Sequence, residues 1–142
     1  MESLIDELLP IAREVLKNRK EEEAQTSKKG IWSNNSILEI YENYTSAFPI
    51  MIDQMGLRTA VAIYNVADSN KGEGNKKFIL QLLFDVLKSE SLITTTHTEW
   101  SKMVDAIIDD KNGAVVLHYE EILSDAAIAL KRAIRTFPIT KK

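Results

Sequence analysis

Cysteine is absent from the 142-residue chain, so no disulfide and no thiolate metal site can form. Histidine occurs twice, as His97 and His118, with no companion at ligand spacing. A zinc site needs three or four donors, so neither a metal nor any other cofactor is expected. No apolar run approaches the roughly twenty residues that cross a bilayer. The first residues, MESLIDELLP, carry acids where an export signal is basic, which points to a cytoplasmic protein. No G-x-S-x-G motif is present, and KGEGNK lacks both the Gly-Lys-Ser/Thr ending of a phosphate loop and a preceding strand. Asp109-Asp110 and Glu120-Glu121 are adjacent pairs, and helix neighbours point in different directions. No catalytic residue is therefore expected, and the chain reads as non-enzymatic. A basic excess is missing too: 18 Lys and Arg stand against 21 Asp and Glu, a net charge of −3. That balance argues against a free-standing nucleic-acid binder.

What is present is helical periodicity. Hydrophobic residues make up 44% and charged residues 27%, the composition of an ordinary folded domain. The length suits one domain, residues 1–142. Leu4, Ile5, Leu8, Ile11, Ala12, Val15 and Leu16 predict an amphipathic helix from residue 3 to about 23, with Pro10 kinking it or starting a second segment. Residues 24–36 are polar and aperiodic and read as a mobile loop. Ile31 and Trp32 are its apolar pair, suited to stapling the following helix or docking on a partner. Asn34, Asn35 and Ser36 offer N-cap oxygens for a helix from Ile37.

The stretch AFPIMIDQMGLRTAVAIY breaks its apolar run twice. Pro49 predicts a kink or a restart, with a short helix from Pro49 to Met55. Gly56 suits a left-handed helix end, after which Leu57 to Asp68 forms a helix apolar nearly all round, the kind usually central in a bundle. Asn75 caps a helix with Phe78, Ile79, Leu82, Leu83, Val86 and Leu87 on its stripe. Thr98 caps another, through Trp100, Met103, Val104, Ile107 and Ile108, and Asp109 to Gly113 closes it. A last helix runs from Ala114 to about Phe137, where Pro138 stops it. The expectation is all-α: a compact bundle of six to seven helices in a single domain.

Charge is unevenly placed. After Asp125 there is no further acid, while Lys131, Arg132, Arg135, Lys141 and Lys142 follow. Cations at a helix end complement its dipole, but they also make a local basic face on an acidic protein. Arg13, Lys17 and Lys20 share one face of the first helix. Arg58 follows the Gly56 corner directly, where a rigid turn aims it at a partner or a phosphate.

Tyr44-Thr-Ser-Ala-Phe-Pro49, the segment Ile50 to Met55, and Gly56-Leu57-Arg58-Thr-Ala60-Val-Ala62 together resemble a known signature. It is that of the small subunit of the type III-B (Cmr) CRISPR RNA-guided effector complex. Tyr119 and the run AAIALKRAIRTF, Ala126 to Phe137, are similar to that family's closing helix. The resemblance covers the chain from the second helix onward. It implies a non-catalytic subunit that stacks in a short filament with further copies of itself, beside other subunits of the effector complex. It also implies contact with guide RNA and target RNA in antiviral defence. Because guide–target pairing reads the sequence, such a protein needs only backbone contacts from Lys and Arg. The candidate residues are Lys131, Arg132, Arg135, Arg13, Lys17, Lys20 and Arg58. The related type III-A (Csm) small subunit, and a helical protein–protein adaptor with no nucleic-acid role, are the alternative readings.

Overall fold

A computed structural model describes residues 3–27, 29–66, 74–93 and 97–141. Six helices are present among them: α1 Leu4–Thr26, α2 Glu39–Met55, α3 Leu57–Tyr64, α4 Lys77–Ser89, α5 Trp100–Ile108 and α6 Ala114–Ile134. Three short strands accompany them: β1 Trp32–Ser33, β2 Ser36–Leu38 and β3 Ile139–Thr140. The mostly all-helical expectation holds, and the strands form a small sheet in the order β1-β2-β3.

Helix α6 is the centre of the bundle and packs mainly on α1 and α2. Tyr119, Leu123, Ala126, Ala127, Ala129, Leu130, Ala133 and Ile134 are all buried along it. The four alanines carry no bulk, so neighbouring helices approach closely. The sequence pointed instead to α3 as the central element, and this is corrected. α3 buries Leu57, Ala60, Val61 and Tyr64, leaves Ala62 and Ile63 partly open, and Val66 beyond it is exposed. Residues 67–73, which include the expected end of that helix at Asp68, lie outside the described residues.

Pro49 does not restart the chain. α2 runs unbroken from Glu39 to Met55 with Pro49 inside it, and α1 likewise passes through Pro10. A proline within a helix removes one i→i−4 bond and crowds the carbonyl four residues back. Two hydroxyls bond carbonyls of α2 upstream of Pro49. Thr45, a buried polar residue, donates its Oγ1 proton to the Tyr41 carbonyl at 2.6 Å, and the Tyr64 hydroxyl of α3 donates to the Tyr44 carbonyl. Burial pushes the Tyr64 phenol up, and Tyr44 adds to the effect.

Gly56 does mark a break. Its φ of 91° and ψ of 156° form a conformation essentially reserved for glycine, more extended than the left-handed helical region predicted. Its N–H still donates to the Ile52 carbonyl at 2.8 Å, ending α2, while its own carbonyl accepts from Ala60 N at 3.1 Å to begin α3. One residue thus serves two helices.

The predicted cap at Asn34 to Ser36 is replaced by a turn. β1 and β2 pair antiparallel, Trp32 with Ile37 and Ser33 with Ser36, and Asn34 takes a φ of 58°. Asparagine tolerates that conformation better than most residues. α2 starts later, at Glu39, behind Leu38, which makes no side-chain cap. β3 then pairs parallel with β2, Ile37 opposite Ile139, and Ile37 N donates to the Pro138 carbonyl at 2.8 Å. α6 stops at Ile134, three residues short of the expected Phe137, and a turn leads from there to Pro138. Asn75 does reach the start of α4, its Oδ1 accepting from Lys77 N at 3.0 Å. Thr98 does not cap α5, whose flanking residue is Glu99, without a side-chain cap.

Candidate nucleic-acid interface

The cations on α1 and those ending α6 were two separate candidates in the sequence. The fold packs the two helices that carry them against each other. Arg13 Nε donates to Thr136 Oγ1 at 3.0 Å, and its guanidinium lies 5.1 Å from the centre of the Phe137 ring. Phe137 meets Trp32 edge-on at 5.3 Å, and the Lys20 ammonium stands 5.1 Å from the Trp32 ring. Cations over aromatic faces are held electrostatically while keeping some access to water. Arg13, Lys20, Trp32 and Phe137 thus form a continuous row, with Lys17 exposed on the same helix. Arg132, exposed, lies one turn before Thr136 in the last turn of α6. Lys131 is half-buried, and Arg135 turns toward α2 to pair with the Glu42 carboxylate. That pair is open, with Arg135 58% exposed, so its contribution to stability is at most about 1 kcal/mol.

Trp32 owes its position to α1. Its indole N–H donates to the Leu16 carbonyl at 3.0 Å. The Glu23 carboxylate accepts from Ile31 N at 2.9 Å, from Trp32 N at 3.1 Å and from Arg19 Nε at 2.8 Å. A side chain at Gly30 would overlap that carboxylate, so glycine is required for its approach. Trp32 therefore packs on α1 and Phe137.

Arg58 lies apart from this face. Its guanidinium donates to the Ile107 carbonyl at 3.4 Å and to the Asp110 carbonyl, closing the end of α5. Ile107 is among the last residues of α5, whose carbonyls have no regular intrahelical partner. Asp110 Oδ2 accepts in turn from Val116 N at 3.0 Å, joining the same loop to α6.

Among the described residues no three metal-ligating side chains cluster. His97 and His118 both border Tyr119: the His97 ring stacks on it with Nδ1 2.6 Å from its hydroxyl, and His118 meets it edge-on. Burial, and then the neighbouring His118, lower the His97 pKa. A polar cavity of about 490 Å³ between α1 and α4 is lined by Arg19, Glu22, Asp85 and Lys88 among others. Desolvation and then Glu22 raise the Asp85 pKa, while Arg19 and Lys88 pull it down. Two acids there face two cations, and Arg19 is already engaged by Glu23 and Gln81.

What the sequence did not disclose is the meeting of partners far apart in the chain: Arg13 with Thr136 and Phe137, Arg135 with Glu42, and Lys20 with Trp32. The available signal was Trp32 itself, a large apolar ring in a polar segment.

The fold defines a small helical-bundle protein, on which Arg13 and Lys20 flank the paired rings of Trp32 and Phe137. A family model for CRISPR-associated protein (Cas_Cmr5) matches residues 12–137, which contain all seven candidate cations. The chain belongs to that family, the small subunit of type III-B CRISPR effectors, which is generally non-catalytic and works within a multi-subunit complex. Comparisons with curated proteins and with solved structures returned no match. No helix among the described residues is long and apolar enough to cross a membrane.

Proposed function

We propose that this protein is a non-catalytic subunit that stacks in a filament within a type III-B effector complex and holds target RNA along the guide. It does so in the cytoplasm, by sequence-independent contacts to the ribose-phosphate backbone. The observation that carries this reading is the convergence of α1 and the end of α6, where Arg13 bridges to Thr136 and Phe137. Arg13, Lys17, Lys20, Lys131, Arg132 and Arg135 are the contacting cations. Arg58, held by two backbone carbonyls, shapes the α3–α5 corner instead. Leu117, 77% exposed, and Ile50 and Met55 on α2 supply apolar surface for neighbouring subunits or further copies of this chain. The family match favours the type III-B complex over the related type III-A one.

Phosphate contacts release counterions, so RNA affinity falls steeply with salt. With a net charge of −3, the isolated subunit binds RNA weakly. The test is made on the assembled complex carrying Arg13→Ala, Lys17→Ala, Lys131→Ala and Arg132→Ala together. Retention of target RNA should fall for all sequences alike, and each lost phosphate contact should lower the salt slope by about 0.7 to 0.9. Retention equal to wild type would place the RNA elsewhere. A subunit that cross-links only to proteins in the complex would favour the adaptor reading.

A further inference from the structure

A second concavity, of about 560 Å³, opens beside the sheet and falls within the roughly 300–1,000 Å³ of typical ligand clefts. Its walls include Trp32, Leu38, Ile40, Tyr41 and Phe78, with Lys29 at its edge. Gly74 completes one wall, and a side chain there would come within 2.9 Å of the Tyr41 ring. The rings are held from behind: Trp32 by Leu16, Tyr41 against Phe78 at 5.9 Å, and Phe78 beneath the Arg19 guanidinium at 4.6 Å. The lining contains one cation and no acid; Glu39, between Leu38 and Ile40, is not part of it, and Glu23 is occupied by Arg19, Ile31 and Trp32. Fixed aromatic and aliphatic walls with a cation at the rim match a planar ring carrying an anion. A peptide strand fits less well, because the neighbouring strand β1 offers only two residues for pairing.

We propose that this cleft takes one unpaired nucleotide of an RNA strand, its base against Trp32 and its phosphate on Lys29. Stacking on a protein ring is tolerant of base identity, so the cleft anchors a strand without reading it. The assignment relies on the proposed RNA role only for the identity of the strand. Its position is shared with the basic face, since Trp32 belongs to both.

The test uses the full-length protein at low salt and a ribopentanucleotide with a central 2-aminopurine and a 5′ fluorophore. Anisotropy reports binding, and 2-aminopurine emission reports stacking. Emission should drop on binding, and Lys29→Glu, a change at an exposed residue, should weaken binding at least about fivefold. Ser33→Phe, which fills the cleft, should abolish the emission change while circular dichroism stays as in wild type. If Ser33→Phe unfolds, Lys29→Glu decides alone. Binding with unaltered emission would overturn the cleft while leaving backbone contact intact. Quenching that survives both variants, or no binding at all, overturns it as well. So does displacement of the strand by pentaglutamate as readily as by unlabelled pentauridylate, which would make the occupant an acidic peptide.

Discussion

Two corners redirect this chain by opposite means. At Gly56 a single residue turns α2 into α3, and nothing lies within 4 Å of where its side chain would be. The corner is a property of the backbone alone. Between α1 and α2 the chain instead takes a strand, a turn and a second strand, held by the Glu23 carboxylate, the Leu16 carbonyl and the pairing of Ile37 with Ile139. That corner is made of tertiary contacts. Each carries candidate cations, with different outcomes: Arg58 beside the glycine is absorbed into a helix end, whereas Lys20 beside the hairpin stays on an open face. A local turn leaves a neighbouring arginine free to satisfy nearby carbonyls. A corner tied through aromatic side chains offers rings on which cations rest without neutralisation.

If the contrast is right, Glu23→Ala is the most damaging of the simple changes. Its carboxylate is nearly buried, and removal strands two backbone N–H groups and takes one of Arg19's partners at once. About 3 kcal/mol of stability should be lost in urea titration, and a loss below about 1 kcal/mol would mean the hairpin does not depend on this group. Gly56→Ala comes next, at about 1–3 kcal/mol, because the added Cβ meets no neighbour and the cost is conformational only. A neutral result would show that the corner relaxes. Arg58→Ala should cost about 1 kcal/mol, reduced by exposure, and leave target-RNA retention by the complex unchanged. Lost retention at full stability would move Arg58 to the RNA face and erase the distinction between the corners.

The smallest effect leaves both corners untouched. In the fold the His97 pKa lies below its ordinary value of 6.5, through burial first and His118 second. The unfolded chain therefore takes up the proton more readily. Stability is undiminished above pH 6.5, declines as pH falls through that value, and levels off below the folded pKa. The gap between thermal melts of wild type and His97→Gln, which also loses the Tyr119 contact, should change with pH only in that window, while Glu23→Ala and Gly56→Ala stay shifted at every pH. A gap that changes above neutrality would have the wrong sign.

The same contrast explains what could be read from the sequence. Periodicity located the helices, apart from the break expected at Pro49, because burial of one stripe per helix is local to each segment. Gly56 and Asn75 were legible for the same reason: each acts through its own backbone or a residue two away. The sheet was not, since strands of two and three residues carry no alternation and β2 is paired by residues near the far end of the chain. Pro49 misled because its cost falls within a helix otherwise anchored by Tyr41, Thr45, Phe48 and Ile52, all buried. The candidate interface was half visible. Spacing gave the α1 stripe and the α6 cations, but only the fold reveals that Thr136 and Phe137 join them, or that Arg58 is already occupied.

The parallel pairing of Ile37 and Leu38 with Ile139 and Thr140 has a consequence for synthesis. As the chain leaves the ribosome, the β1–β2 ribbon must wait with one edge open until Thr140 has been made. α1 and α2 gain their principal neighbour, α6, only in that same late interval. β3 thus locks a ribbon made about a hundred residues earlier, and the Trp32 corner is complete only once Phe137 and β3 have been added.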